Sequence, residues 1–225
     1  MNESEPDSIG VVDTMGCATP EAIKYLVRKV ADLTNLPVEI HTHNDFGTGV
    51  ATELAAVTVG ASCVHSCVGG LGERTGNAAL EELILCLELL YGYDTKYELA
   101  KLPELGALLA DITGIPYALN KPILGERNFT RESGIGVNLV VEKPLAMFGT
   151  HPALTGRTGD IVLGKKSGKA SITYKLDELG IEGVSDEQIT ALLAEVKKAG
   201  IAKKGILTDD EFRRILADVT QSDSA

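Results

Sequence analysis

Apolar and polar positions along the first hundred residues fall into three short strand-like runs, each followed by a helical period. Ile9-Gly10-Val11-Val12-Asp13 reads as a buried strand. Thr19-Pro20-Glu21 then opens a helix, with Thr19 as N-cap and Pro20 at the first helical position. Ile23, Leu26, Val27 and Val30 recur at helical spacing and give that helix its apolar face. Pro37 to His43 is the second strand, with a helix over 47–59. Ser62 to Val68 is the third, followed by a glycine-rich stretch from Gly69 to Gly76 and a helix over 77–90. Strand–helix repeats at this spacing predict a parallel sheet with helical cover. A complete (β/α)₈ barrel needs roughly 250 residues, so only three units fit before the pattern changes near Tyr97.

Beyond Tyr97 the spacing predicts a helix over 103–112 and then an irregular Gly/Pro-containing segment over 114–168. Two helices close the chain, each announced by a capping box: Ser185-x-x-Gln188 and Thr208-x-x-Glu211. This part reads as a small appended module, with Gln221 to Ala225 as a frayed tail. The expected division is residues 1–96, 97–175 and 176–225.

Composition narrows the function classes. Apolar residues are 44% and charged residues 24%, ordinary for a globular chain, and no apolar run approaches the ~20 residues of a membrane helix. The polar, acidic start from Met1 to Asp7 lacks the features of a signal peptide, so a cytoplasmic protein is expected. The net charge of −11 repels phosphate backbones, which argues against nucleic acid as a partner. Cys17, Cys63, Cys67 and Cys86 form no CxxC pair and are expected to be free thiols.

Three strand ends carry candidate chemistry. In Glu39-Ile40-His41-Thr42-His43-Asn44-Asp45 the period of two puts Glu39, His41 and His43 on one face. Two imidazoles about 7 Å apart at their Cα atoms can converge on one metal ion, with Asn44 and Asp45 suited to orienting them. The same pattern also suits two core or surface histidines. Gly69-Gly70-Leu71-Gly72-Glu73-Arg74-Thr75-Gly76-Asn77 fails the dinucleotide spacing, but its glycines can bring backbone close to a ligand beside the Asn77 amide. Its plain alternative is a flexible turn with a surface Glu73–Arg74 pair. Asp13-Thr14-Met15-Gly16 offers a hydroxyl for a substrate carboxylate, or a turn residue in Asp13. All three lie on the face where a parallel barrel performs chemistry.

In order and spacing, Asp13-Thr14-x-Gly16, His41-x-His43-Asn44-Asp45-x-Gly47 and Gly70-Leu71-Gly72-Glu73-Arg74-x-Gly76-Asn77 resemble the last three units of the DRE-TIM metallolyase barrel. That family includes 2-isopropylmalate, homocitrate and citramalate synthases, Re-type citrate synthase and 3-hydroxy-3-methylglutaryl-CoA lyase. The resemblance continues through Phe129-x-x-Glu132-Ser133-Gly134-Ile135 and Val162-Leu163-Gly164-Lys165-x-Ser167-Gly168, similar to the subdomains that follow the barrel in the synthases. It implies an α/β fold: three β/α units of a TIM barrel, then small α+β and helical subdomains.

The resemblance also implies roles. His41, His43 and Asn77 would ligate a divalent metal (Mg²⁺, Mn²⁺ or Zn²⁺), while Thr14, Gly72 and Glu73 would contact a 2-oxo acid. Glu39 stands where homocitrate synthases carry an acidic residue, and Arg131 stands where the synthases usually carry a histidine implicated in acid–base chemistry. Gly136 and Lys166 also replace common histidines. Arg131, Lys165 and Lys166 are alternatively anchors for an anionic group such as a CoA phosphate, or solvated surface charge. The expected reaction is a condensation of acetyl-CoA with a 2-oxo acid, in amino-acid biosynthesis. No counterpart of the leucine-regulated C-terminal domain is recognisable, which tilts the expectation toward homocitrate-, citramalate- or citrate-forming relatives. The alternatives are a hydroxyacyl-CoA lyase and a non-catalytic assembly partner.

Nothing before Asp13 resembles the family's Asp-Arg-Glu motif, which supplies a carboxylate ligand and an arginine from the first strand. The expectation is therefore a homo- or hetero-oligomer in which a complementary N-terminal barrel half comes from another chain, or else a fragment.

Overall fold

The computed structural model describes residues 5–222, so the expectations for residues 1–4 and 223–225 fall outside the described residues. Packing groups the chain into two compact units, Met1–Asn128 and Phe129–Ala225. The expected boundaries at 96 and 175 follow changes of motif. In the packing, residues 97–128 stay with the first unit: Leu124 lies against Gly106, and Lys121 reaches Glu81 and Glu82.

In the first unit, strands β1 (Ile9–Asp13), β2 (Val38–Thr42) and β3 (Ala61–His65) form a three-stranded parallel sheet in the order β1-β2-β3. Helices α1 (Pro20–Leu33), α2 (Gly49–Val57), α3 (Leu80–Leu89) and α4 (Leu102–Thr113) accompany it. The Thr19 hydroxyl accepts from Ala22 N at 3.2 Å, so the cap and Pro20 start α1 where the sequence predicts. One sheet face packs Val11, Val38, Ile40 and Ala61 against Ile23, Val27 and Ala56. The other carries Gly10, Val12, Glu39, His41, Cys63 and His65 in register and is open: Val12 is 55% exposed, and no described element covers it. A parallel sheet open on one face is unusual, because such sheets are normally covered on both.

The second and third strands end sooner than expected, and α3 starts at Leu80, not Asn77. Residues 77–79 run extended and bridge back to the strand ends through His43–Asn77 and Cys67–Ala79 pairings. Asn77 N donates to Gly70 O and Ala78 O accepts from Cys67 N, so these groups are unavailable to a first helical turn.

In the second unit, the segment expected to be irregular over 114–168 contains a two-residue parallel pair, β4 (Thr130–Arg131) with β5 (Asp160–Ile161), and the short helix α5 (Val137–Glu142). The expected two closing helices are three: α6 (Lys169–Glu178), α7 (Asp186–Lys203) and α8 (Asp209–Ser222). They enclose Leu163, Ile172, Leu176, Leu192, Val196, Leu207, Phe212 and Val219. Both capping boxes form. Ser185 Oγ accepts from Gln188 N at 3.2 Å and Gln188 Oε1 from Ser185 N at 3.0 Å; Thr208 and Glu211 repeat the exchange at 3.3 and 2.7 Å. Gln221 and Ser222, expected in the frayed tail, belong to α8. Among the described residues no helix is long and apolar enough to cross a membrane, and the four cysteines are free.

One buried carboxyl group fixes the strand that carries the histidines. Glu53 on α2 is fully buried, and its Oε1 accepts from both the backbone N–H and the hydroxyl of Thr42, each at 3.2 Å. Thr42 Oγ1 also lies 3.2 Å from Gly49 O. The second oxygen, Oε2, has no partner among the described residues. Burial raises the Glu53 pKa from 4.5 to about 8, against the pull of the Thr42 hydrogen bonds, so the carboxyl is protonated at neutral pH.

Two outcomes follow from this packing. Leu192→Ala removes a fully buried side chain from the helical core and should cost about 2–5 kcal/mol in urea unfolding followed by circular dichroism. For Glu53, the folded state holds a proton that the unfolded chain releases above pH 4.5, so this group's contribution falls as pH rises from about 4.5 to about 8. Each pH unit in that window is worth at most about 1.4 kcal/mol. Glu53→Gln should therefore flatten the decline of the thermal midpoint over that window; a slope equal to the parent's would show that Glu53 is not protonated.

Candidate metal centre

Glu39 and His41 sit on the open face of β2, and His43 follows just beyond the strand end. The His41 and His43 rings are 5.2 Å apart between centroids and nearly perpendicular, at 85°. The returning segment before α3 brings the buried Asn77 alongside: its Nδ2 lies 3.3 Å from His41 Nε2 and 3.4 Å from Thr42 O. Burial, then the neighbouring His43 and His65, hold the His41 pKa below the ordinary imidazole value. That favours the neutral ring, the form that ligates metal. His43 Nδ1 is buried without a hydrogen-bond partner among the described residues.

The glycine-rich loop is shaped by close backbone approach. Gly76 has φ +83°, and a Cβ there would lie 1.8 Å from Gly70 O, so a side chain has neither the backbone angle nor the space. A Cβ on Gly72 would lie 2.2 Å from Asn77 Oδ1. Asn77 N donates to Gly70 O at 3.1 Å and Asn44 N to Gly76 O at 3.0 Å, which fastens the loop over the end of β2. At its base the buried Glu81 accepts from Gly69 N at 2.9 Å, with Lys121 Nζ 3.4 Å away.

Arg74 joins the three strand-end loops. Its Nε and Nη2 each donate to Asp45 at 3.1 Å, and Nη2 also donates to Thr14 O at 2.6 Å. The fork lowers the Asp45 pKa and raises that of Arg74. Arg74 holds this position at φ +59°, a conformation uncommon for a side-chain-bearing residue.

The expected residues separate into two groups. Glu39, His41, His43, Asn77, Thr14, Gly72 and Glu73 all belong to the strands and strand-end loops of the first unit. Thr14 is exposed and meets Arg74 through its carbonyl; Glu73 is exposed and accepts from Gly76 N at 3.0 Å through its own. The expected Glu73–Arg74 pair is corrected: the left-handed turn at Arg74 sends the guanidinium to Asp45. Asp13 takes its turn role, accepting from Cys17 N and Ala18 N at 3.2 and 2.9 Å, and Asn44 Oδ1 accepts from Gly49 N at 2.9 Å. Glu39 pairs with His65 at 3.0 Å, and hydrogen bonds from Ser8 and His65 hold it below the usual carboxylate range.

Arg131 lies on β4 in the second unit, where its Nε donates to Ile135 O at 2.8 Å. There the two later motifs meet. Glu132 Oε1 accepts from Lys166 N at 3.0 Å, and Gly134 and Gly168 approach so closely that a Cβ on Gly134 would lie 2.5 Å from Gly168 Cα. Glu53, His65 and Glu81 were not singled out in the sequence, because each acts through a contact made across elements.

Two family models match the chain in succession: HMGL-like over residues 1–109, and homocitrate synthase post-HMGL domain-like over residues 123–204. The (R)-citramalate synthase of Methanocaldococcus jannaschii is 40% identical over 222 residues, which cover 97% of this chain and 45% of that protein. The homocitrate synthase of Methanopyrus kandleri is 38% identical over 220 residues, 98% of this chain and 55% of its own length. The 2-isopropylmalate synthase of Methanocaldococcus jannaschii is 40% identical over 216 residues, with 95% and 42% covered. The chain thus spans about half the length of the curated relatives it matches. With both models matched in this order and synthases of this kind as relatives, the chain belongs to the DRE-TIM metallolyase family.

Proposed function

We propose that the chain is the metal-holding C-terminal portion of a condensing acyltransferase that joins acetyl-CoA, or a similar acyl-CoA, to a 2-oxo acid, as homocitrate, citramalate, isopropylmalate and citrate synthases do. The observation that carries this reading is the convergence of His41, His43 and Asn77 at the end of β2. Two features of these residues fit a divalent cation: the buried, unpartnered Nδ1 of His43 and the neutral ring favoured at His41. A bound Mg²⁺, Mn²⁺ or Zn²⁺ would polarise the keto group of the 2-oxo acid.

The chain's own residues have distinct tasks in this reading. The Thr14 hydroxyl takes the substrate carboxylate, and the backbone at Gly72 and Glu73 forms the wall beside it. Arg74 keeps the three loops in register through Asp45 and Thr14 O. Glu39, with its lowered pKa, is a weak base, so its role is to hold positive charge on the open face. The planar guanidinium of Arg131 suits an anionic group such as a CoA phosphate. The post-HMGL match over residues 123–204 favours a synthase over the lyase branch.

The open sheet face and the outer edges of β1 and β3 support a further part of the proposal. Three strands cannot close a barrel, and exposed strand edges invite pairing. The remaining strands come from a complementary N-terminal half, on another chain or elsewhere in a longer polypeptide, and the active species is an oligomer of cytoplasmic type.

The test is to co-express the chain with an N-terminal-half homologue and measure CoA release from acetyl-CoA over a panel of 2-oxo acids with each metal. Release that requires both halves is expected, and His43→Ala in the complex should lower it more than about 100-fold. Full activity from this chain alone would refute the complementary half. A stable complex with no metal-dependent release would refute the condensation.

A further inference from the structure

The parallel register of β2 and β3 pairs Glu39 with Cys63 and His41 with His65, so one pleat below the His41–His43 pair the open face carries a second set of donors. A carboxylate oxygen of Glu39, the sulfur of Cys63 and a ring nitrogen of His65 all lie within 4.8 Å of one another. We propose that Glu39, Cys63 and His65 form a second metal site, separate from the His41–His43–Asn77 set and selective for a zinc-class cation.

The dimensions suit such an ion. With metal–sulfur and metal–nitrogen bonds near 2.3 and 2.0 Å, the donors of a tetrahedral site stand about 3.5 Å apart. Closing from 4.8 Å needs only side-chain rotation, and the side chains have the freedom for it: His65 is 45% exposed and Glu39 29%. Glu39 Oε2 and His65 Nε2, at 3.0 Å, are already at ligand-to-ligand spacing. In this chain by itself the fourth position opens to solvent, because nothing among the described residues covers this face.

The donor chemistry sets the selectivity. One thiolate, one imidazole and one carboxylate favour zinc and its neighbours, whereas Mg²⁺ takes oxygen ligands and retains its waters. The His41–His43–Asn77 set includes no sulfur ligand, but Cys67 Sγ lies 3.7 Å from Asn77 Oδ1, so the Cys63→Ser variant is what assigns a thiolate band to the second site. His41 is close by, with its ring centroid 5.6 Å from that of His65. Separateness from the first set is therefore part of what must be tested.

The probe is Co²⁺, titrated into the reduced, metal-free full chain and followed by its thiolate-to-cobalt charge-transfer band in the near ultraviolet. The band should saturate at one equivalent, be displaced by Zn²⁺ but not by excess Mg²⁺, disappear in Cys63→Ser and weaken in His65→Ala. Both substituted positions are exposed, and far-ultraviolet circular dichroism checks the fold. In His43→Ala the band should persist. Absence of the band in the parent chain, or its survival in Cys63→Ser, overturns the site. Its loss in a folded His43→Ala overturns the claim that the two sites are separate. None of these readouts depends on acyl transfer, so the site and the proposed activity can fail independently.

Discussion

The parallel pairing of three short strands, with one register irregularity at the start of the β2–β3 ladder, is the constraint on which the first unit depends. Side chains alternate across β1 and β2, and a register irregularity between Ala61 and Cys63 shifts β3 by one position, so Val11, Ile40 and Ala61 are buried on one face while Val12, His41 and His65 stand on the other. A slip of one residue would exchange the apolar core for the histidines. Core packing and the placement of the histidines are therefore specified together by one strand register.

That coupling explains where the structure spends its buried polar groups. Glu53 reaches from α2 to both donors of Thr42, the residue between the two histidines. Its protonated form costs less to bury than a carboxylate would and still accepts hydrogen bonds. Under the glycine loop, Glu81 accepts from Gly69 N and lies 3.4 Å from Lys121 Nζ. Arg74 then ties the loops from above in a backbone conformation that a stable scaffold must impose. The strand end is thus held from the helix side and from the loop side.

Much of this architecture was legible in the chain. The strand starting at Ile9, the Thr19-Pro20 helix start and the two capping boxes are local signals, made by residues within four positions of one another. Helix ends and strand ends were less legible. Whether Asn77 begins α3 or bridges back to His43 depends on which distant backbone groups compete for its hydrogen bonds. The pair β4–β5 has two residues per strand, too short for any period to register, and α6 was missed in a stretch rich in glycine and lysine.

The division between sequence and tertiary structure follows the range of each interaction. The sequence by itself determined the repeated β/α order, the polar composition of the strand ends and the His-x-His pattern, since these rest on side-chain period and on contacts between near neighbours. Only the folded chain decided that Arg74 grips Asp45 rather than Glu73, that Glu53 is buried beneath Thr42, and that His65 and Cys63 stand beside Glu39. Those residues are 11 to 29 positions apart. Bringing them together requires a strand register and a helix packing that no local window of sequence encodes.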